Sequence, residues 1–263
     1  MLADPLADPM QNPRSASPTF KALALFVSDV HLCESRPRTE RAFLKFLTEH
    51  APHSERLYLL GDLFEYWAGD DDLEHPGHCA VLNALAELSH RGVQLFWIAG
   101  NRDFLVGETF AKAIGAQILP DPVEVKLKTM RLTLAHGDAL CTDDINYMQF
   151  RTMVRQAVWQ TAFLAKPLDE RKAIIEGMRI ASIADQKTKT MSIMDVNQDA
   201  VNALLHAHPC EMLIHGHTHR PAVHQENGAQ RWVLPDWDYE DPTAQRGGWL
   251  CLNAEGQWQA CSI

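Results

Sequence analysis

The sequence predicts an α/β fold in which two sheets pack face to face with helices on the outside. Apolar runs alternate with helical patterns early in the chain, and short strand-like runs dominate its later part. The first run, ALALFVS at Ala22–Ser28, is apolar throughout, which is typical of a strand buried on both faces. We therefore expect the first part of the core to form βαβ units.

The early elements follow this alternation in order. Apolar residues recur at helical spacing within Thr39–His50, and RLYLLGD then predicts a second buried strand that ends at Asp62. A second helix is predicted over Cys79–His90, and VQLFWIAGNRD predicts a third strand that ends at Asn101. Each of these strands is followed directly by polar residues.

The later elements are mainly strands. The segment VEVKLKTMRLTLAHGD alternates on both sides of Thr129 and Met130, which predicts a hairpin whose second strand ends at His136. EMLIHGHTH predicts a short strand ending at His217 and His219. The tail contains RWVLPDW and GWLCLNAEGQWQACSI, and the latter predicts two strands around the turn signal NAEG.

Composition divides the chain into three parts. Residues 1–20 are rich in Pro, Asp and Ser and are expected to form a disordered leader, without the basic start and apolar run of a signal peptide. Residues 21–143 and 209–263 form the predicted core. Residues 144–208, rich in helix formers, are predicted to be a helical insertion.

Charge and cysteine usage limit the function classes. A net charge of -10 argues against broad nucleic-acid binding, which selects for a basic surface. Residues 151–199 differ, with eight Lys or Arg against six Asp or Glu. The six cysteines are scattered singly, which favours free thiols in a reducing cytosol. No apolar run approaches the roughly 20 residues of a membrane span, so any membrane contact is expected to be peripheral.

Five short segments of metal-ligand type stand out, nearly all of them after a predicted strand. They are Asp29-Val30-His31, Gly61-Asp62, Gly100-Asn101-Arg102-Asp103, His136-Gly137-Asp138 and Gly216-His217-Thr218-His219. One such segment alone is more often a core histidine with a capping aspartate. Five in one chain, with mixed carboxylate, amide and imidazole ligands, favour two catalytic divalent ions over a structural zinc.

In this order the segments resemble the calcineurin-like metallophosphoesterase superfamily over most of residues 22–221. The resemblance implies a four-layer αββα sandwich with a helical insertion as a cap. It implies one metal bound by Asp29, His31, Asp62 and His219, and a second bound by Asp62, Asn101, His136 and His217. Asp62 would then bridge the metals, and the residues implied in catalysis are Asp62, Asn101, Arg102, Asp103 and His136.

Longer motifs sharpen the resemblance over residues 22–224. GDLFEYWAGDDD, GNRDFLVG, HGDALCTDDINY, IMDVNQ and IHGHTHRPAVH resemble the UDP-2,3-diacylglucosamine pyrophosphatases of the lipid A pathway. The resemblance implies cleavage of the pyrophosphate of that lipid-linked UDP-sugar to UMP and 2,3-diacylglucosamine 1-phosphate (lipid X), with Mn²⁺ as the usual metal. It also implies a cytoplasmic protein held peripherally on the inner membrane.

Several side chains are candidate substrate contacts. Arg102 offers a planar fork for phosphate, and Asp103 could orient a histidine ligand. Matching to the family adds the following substrate-binding set: Asn101, Arg102, Asp144, Arg179, Ser182, Gln186, Lys189 and His217. Without the resemblance, Arg179 and Lys189 would be interpreted as a solvated helix face.

Apolar residues of the insertion leave two interpretations open. The positions that recur at helical intervals are Phe150, Met153, Val154, Trp159, Phe163 and Leu164. They either pack the insertion on the core or line a chamber for acyl chains.

Two rival functions remain at the level of sequence. A soluble metallophosphodiesterase or nuclease acting on nucleotides would share every metal ligand, so the insertion alone separates it from the lipid enzyme. A non-catalytic scaffold is disfavoured, because none of the expected ligands is missing.

Overall fold

The computed structural model describes residues 21–186 and 195–263, and for residues 183–186 it describes the backbone alone. Its strands are β1 (Ala22–Val27), β2 (Arg56–Leu59), β3 (Gln94–Ile98), β4 (Ala116–Leu119), β5 (Val123–Leu127), β6 (Met130–Leu134), β7 (Met212–His215), β8 (Ala222–Gln225), β9 (Gln230–Val233), β10 (Trp249–Asn253) and β11 (Trp258–Cys261). Its helices are α1 (Pro37–Lys45), α2 (Pro76–His90), α3 (Glu108–Ile114), α4 (Ile145–Val154), α5 (Ala157–Leu164), α6 (Leu168–Gln186) and α7 (Gln198–Ala207). The predicted leader lies outside the described residues.

Two mixed sheets form the centre of the fold. The first has the order β11-β10-β1-β2-β3-β4, in which β1 to β4 are parallel. The second has the order β5-β6-β7-β9-β8, in which β6, β7 and β9 are parallel. Because parallel strands end at the same edge of a sheet, the loops after β1, β2 and β3 lie side by side.

Three apolar layers separate the sheets and helices. Between the sheets, Phe26 of β1 belongs to the same buried cluster as Leu134 of β6. The opposite face of the first sheet packs against α1, α2 and α3, with Phe43 at its centre. The outer face of the second sheet packs against α7, where Leu213 meets Val201. The four-layer αββα fold class is confirmed.

The sequence of β1 explains its central position. Ala24 and Phe26 face the second sheet, whereas Leu25 and Val27 face the helices, so that the strand is buried on both sides. Burial of each large side chain contributes about 1.5–3 kcal/mol. A run without polar alternation is therefore suited to this strand and not to a half-exposed one.

The predicted early helices are present with different boundaries. Helix α1 is continued by a π-helical turn at Phe46–His50, and together they cover the predicted Thr39–His50. Helix α2 begins at Pro76, three residues before the predicted start, because proline suits the first turn of a helix.

Three short elements were missed by the sequence prediction. Helix α3 has seven residues, too few to show a helical period. Strand β8 is exposed at all four residues, and β4 is not fully buried at any position, so neither shows the apolar pattern of a core strand. Edge strands of this kind are formed by pairing with their neighbours.

Helices α4 to α7 lie between β6 and β7, in the stretch 144–208 that we call the insertion. The buried Arg171 of α6 donates hydrogen bonds to the carbonyl of Ala68 and the carboxylate of Asp71 in the core. Within the described residues no helix is both long and apolar enough to cross a bilayer. None of the six cysteines, all within the described residues, forms a disulfide, in line with the prediction.

Candidate metal centre and active site

The predicted ligands lie in the loops that follow β1, β2, β3, β6 and β7, at the carboxyl ends of these strands. These loops carry Asp29, His31, Asp62, Asn101, His136, His217 and His219. Two groups of candidate ligand atoms form there, and the atoms of each group lie within 4.8 Å of one another. The first group contains Asp29, His31 and His219, and the second contains Asp62, His136 and His217.

Backbone strain is concentrated at these positions. Six non-glycine residues of the described chain have a positive φ, and five of them are predicted ligands. The five are Asp29, His31, Asp62, His217 and His219, with φ between 53° and 69°. Such a conformation costs about 1–3 kcal/mol per residue and persists mainly where function requires it.

The first group brings two imidazole nitrogens and one carboxylate oxygen together. His31 Nε2 lies 3.2 Å from His219 Nε2, and Asp29 Oδ1 lies 3.5 Å from His219 Nε2. Asp29 Oδ1 is buried and accepts no hydrogen bond, whereas its Oδ2 accepts one from the backbone N–H of His217 at 2.8 Å. An unpartnered carboxylate oxygen that faces two imidazoles fits a bound cation.

The carboxylate of Asp62 faces both groups. Its Oδ1 lies 3.7 Å from His136 Nε2 and its Oδ2 lies 3.9 Å from His31 Nε2. One oxygen is therefore directed to each group, as a bridging ligand requires.

Asn101 joins the second group through its carbonyl oxygen. Asn101 Oδ1 lies 2.9 Å from His136 Nε2. His136 Nδ1 lies 2.8 Å from the carbonyl oxygen of Leu60, to which it donates, so that Nε2 is left as the ligand atom. Burial lowers the pKa of His136, but the carboxylates of Asp62, Asp138 and Asp29 outweigh it and raise the pKa to about 9. The field that attracts a proton there would also attract a metal cation.

The contacts of Asp103 correct one prediction. The Asp103 carboxylate was expected to orient a histidine, but it accepts hydrogen bonds from the backbone N–H groups of Asp62, Leu63 and Gly100, at 3.2, 2.8 and 2.8 Å. Asp103 therefore holds together the loops after β2 and β3. The expectation followed the common pairing of a metal-binding histidine with a carboxylate, whereas a buried carboxylate beside two loop backbones binds the nearer N–H groups.

A charged cluster lies beside the first group. The Glu65 carboxylate lies 3.0 Å from His31 Nδ1, 2.8 Å from an Arg179 nitrogen and 3.9 Å from an Arg102 nitrogen. Burial tends to raise the pKa of Glu65, but the hydrogen bond with His31 and the charges of His31, Arg102 and Arg179 lower it to about 2. Arg179, on α6, also lies over the ring of Tyr66 at 5.9 Å. The sequence did not single out Glu65, although it is part of the GDLFE motif.

One cavity of about 710 Å³ connects the metal ligands with the insertion. Its walls include His217 and His219 on the core side, and Asp144, Arg179 and Ser182 from the insertion. The side chain of Gln186 and the whole of Lys189 lie outside the described residues, so these two predictions remain predictions.

The apolar residues of the insertion divide between the two interpretations. Phe150, Trp159 and Phe163 line the cavity. Val154 is buried, and Met153 and Leu164 are exposed by 44% and 41%. The phase of each helix decides this division, since neighbouring residues point about 100° apart. The three aromatic side chains give the cavity an apolar wall, as an acyl chamber would require.

Comparison with known proteins identifies the fold family. The model of the calcineurin-like phosphoesterases matches residues 23–221. The chain belongs to this family. Family membership and the two ligand groups together support a dinuclear metal site in this phosphoesterase.

Individual relatives of this phosphoesterase carry a more specific name. It is 52% identical over 223 residues to the UDP-2,3-diacylglucosamine hydrolase of Aromatoleum aromaticum, covering 83% of this chain and 91% of the relative. The hydrolase of that name from Aeromonas hydrophila is 48% identical, covering 81% and 90%. The one from Bordetella pertussis is 44% identical, covering 87% and 91%. The closer resemblance drawn from the long motifs is thereby confirmed.

The insertion of this phosphoesterase is anchored to the loops that carry the second ligand group. Asp138, fully buried, accepts hydrogen bonds from the Tyr147 hydroxyl at 2.5 Å and from Arg151 Nε at 2.8 Å. Arg155 donates to the carbonyl oxygens of Ala99 and Gly100, at 3.2 and 2.9 Å. The backbone before Asn101 is therefore fixed by Arg155, the residue that directly follows α4. Asp138 belongs to the HGD motif, but its partners lie on a helix that the sequence could not orient.

Proposed function

We propose that this chain hydrolyses the pyrophosphate bond of UDP-2,3-diacylglucosamine to UMP and 2,3-diacylglucosamine 1-phosphate. One observation carries the proposal: a single cavity joins two groups of metal ligands to aromatic side chains of the insertion. A substrate with a diphosphate at one end and two fatty acyl chains at the other matches this combination of surfaces. The names of the relatives support the same substrate.

We assign the metals as the family resemblance implies. Asp29, His31, Asp62 and His219 would hold one cation, and Asp62, Asn101, His136 and His217 the other. Two divalent cations there would activate water and neutralise charge on the phosphoryl oxygens. Oxygen and imidazole donors suit Mn²⁺, which we propose as the metal.

The remaining polar residues act on the diphosphate and the head group. Arg102 and Arg179 both line the cavity; Glu65 holds the guanidinium group of Arg179 at 2.8 Å and lies 3.9 Å from that of Arg102. A planar fork held in this way can bind phosphate oxygens without first becoming ordered. Asp144 and Ser182 lie on the same wall, and we propose them as head-group contacts together with Gln186, Lys189, Asn101 and His217.

The apolar end of the cavity would bind the acyl chains. It is lined from the core by Phe104 and from the insertion by Phe150, Trp159, Phe163 and Ile175. Each methylene removed from water would contribute about 0.8 kcal/mol, so shorter acyl chains should weaken binding steeply. Specificity constants for substrates of decreasing chain length test this part of the proposal.

The decisive experiment identifies the products of purified protein with UDP-2,3-diacylglucosamine and Mn²⁺ by mass spectrometry. UMP and 2,3-diacylglucosamine 1-phosphate are the expected products, and chelation should abolish their formation. Bis(p-nitrophenyl) phosphate provides the comparison substrate. Two results together would contradict the proposal: much faster hydrolysis of bis(p-nitrophenyl) phosphate than of the UDP-sugar, and hydrolysis of the UDP-sugar that does not depend on acyl length. The protein would then be a general phosphodiesterase.

We also propose that the insertion binds the cytoplasmic face of the inner membrane, where such a substrate resides. Val158, Ile145 and Ile180, on three helices of the insertion, are exposed by 81%, 66% and 62%. Sedimentation with anionic vesicles at low and high salt tests the proposal. Val158→Ser should reduce binding, whereas Val223→Ser, at a residue of β8 exposed by 47%, is the matched control. Equal binding by both variants and the wild type would refute it.

A further inference from the structure

The segment after β9 folds over the first ligand group, although it lies beyond the region matched by the family model. Leu234 donates from its backbone N–H to the carbonyl of His215 at 2.7 Å, and Trp237 donates to the carbonyl of Asp29 at 2.9 Å. These two bonds fix the backbone on both sides of Asp236. The side chain of Asp236 is thereby brought close to Nδ1 of His219.

The two ring nitrogens of His219 face different groups. Its Nε2 faces the other ligands, at 3.2 Å from His31 Nε2 and 3.5 Å from Asp29 Oδ1. Its Nδ1 faces away from them and lies 3.6 Å from Asp236 Oδ2. A histidine that binds a metal through one nitrogen commonly directs its other N–H toward a carboxylate, which fixes the ring and its tautomer. The side chain of His219 is 38% exposed, so little packing holds the ring otherwise.

Asp236 is itself held in place. Its residue is 3% exposed, and Arg246 Nε lies 2.9 and 2.8 Å from its two carboxylate oxygens. A second Arg246 nitrogen lies 2.8 Å from Oδ2. This fork compensates the buried charge and fixes the plane of the carboxylate. Arg36 adds a hydrogen bond to the carbonyl of Trp237 at 2.7 Å.

We infer that Asp236 is a positioning residue for the metal ligand His219, held in its orientation by Arg246. The inference rests on the proposed metal centre. It gives the C-terminal segment a part in the active site, through the ligand and not through the substrate. Asp238 supplies an internal comparison, because it also contacts Arg246 and Arg36, at 3.5 and 3.4 Å, whereas the carboxylates paired with His219 in the described residues are those of Asp29 and Asp236.

The test is calorimetric titration of the metal-free protein with Mn²⁺. The wild type should bind two ions per chain. Asp236→Asn should weaken one of the two sites by roughly 10-fold to 100-fold and leave the other unchanged within about twofold, the effect expected for loss of a ligand-orienting carboxylate. Asp238→Asn is the matched control and should retain both affinities.

Arg246→Met provides a second variant, since the Arg246 side chain is 51% exposed and its removal leaves the core intact. It should weaken the same site by a smaller factor. Electron paramagnetic resonance provides a second readout for both variants. At a Mn²⁺ concentration that fills both wild-type sites, each variant should show a weaker signal from the spin-coupled Mn²⁺ pair than the wild type.

The outcomes separate the inference from the function on which it rests. Wild-type protein that binds fewer than two ions would overturn the metal centre and the inference with it. Two wild-type sites with unchanged affinities in Asp236→Asn would overturn the inference alone. Equal losses in Asp236→Asn and Asp238→Asn, or equal losses at both sites, would show a general packing effect and would also overturn it.

Discussion

A methyl group added at Gly100 tests whether the position of Asp62 controls the metal centre. An ideal Cβ at Gly100 would lie 2.1 Å from Asp62 Oδ1, 2.4 Å from the backbone nitrogen of Asp62 and 2.9 Å from its Cγ. Gly100 is not a positive-φ residue, so alanine is compatible with its backbone conformation. The effect of Gly100→Ala therefore comes from the contact with Asp62 and not from backbone strain.

The size of the effect follows from these distances. Non-bonded heavy atoms rest about 3.5 Å apart, so both the carboxylate and the backbone of Asp62 must move by about 1 Å or more relative to Gly100. Metal–ligand distances vary by only about 0.2 Å, so a bridging oxygen displaced this far can no longer bind both ions. A misplacement of about 1 Å costs about 100-fold in rate, equivalent to about 2.7 kcal/mol. We expect kcat/KM to fall by at least about 100-fold and bound Mn²⁺ to fall below two per chain.

The assay combines metal analysis of Gly100→Ala with its hydrolysis of UDP-2,3-diacylglucosamine. Gly177→Ala is the matched control, because Gly177 is an exposed residue of α6 whose added Cβ would meet no atom within 4 Å. The control should retain activity and gain roughly 1 kcal/mol of stability from its higher helix propensity. Two bound Mn²⁺ and near-normal kcat/KM in Gly100→Ala would refute the bridging role of Asp62.

Three further predictions concern other residues of the core. Asp62→Ala should lose more activity and more metal than His31→Ala, because a bridging carboxylate holds both ions; metal analysis and rates of the two variants compare them. Arg102→Ala should lower turnover with metal content unchanged, and Arg102→Lys should restore it only partly, since charge without a fork does not orient phosphate; loss of metal from Arg102→Ala would contradict this. Burial, with a smaller contribution from the neighbouring His75, lowers the pKa of His78 to about 4. As the pH falls, His78 is therefore protonated at a higher pH in the unfolded state than in the folded state. The stability contributed by neutral His78 is present above about pH 6.5 and is lost as the pH falls toward 4. Urea unfolding at about pH 7.5 and pH 5 should show that His78→Phe loses roughly 1–2 kcal/mol less unfolding free energy between the two pH values than the wild type, allowing for partial exposure of the ring. Equal losses in the two proteins would exclude this role of His78.

The sequence by itself determined the layers of the fold and the set of candidate ligands. The run from Ala22 to Val27 is apolar at every position, so it had to be covered on both faces, and Asp29 had to follow it at an end of the sheet. Parallel strands end at the same edge, so Asp62 and Asn101, which follow the next two strands, were predictable neighbours. The position of a ligand directly after a strand end is determined by the strand.

Only the tertiary structure decided what the supporting carboxylates do. Glu65 is separated by 114 residues from Arg179, and the same glutamate in another fold would be an ordinary surface charge. Asp103 was expected to contact a histidine, but the packing of two loops presented backbone N–H groups instead. Asp236 acquires its place beside His219 through backbone bonds to the end of β7 and to the loop after β1. The role of a carboxylate depends on the hydrogen-bond donors that surround it. Because these donors come from segments distant in the chain, composition and periodicity do not predict them.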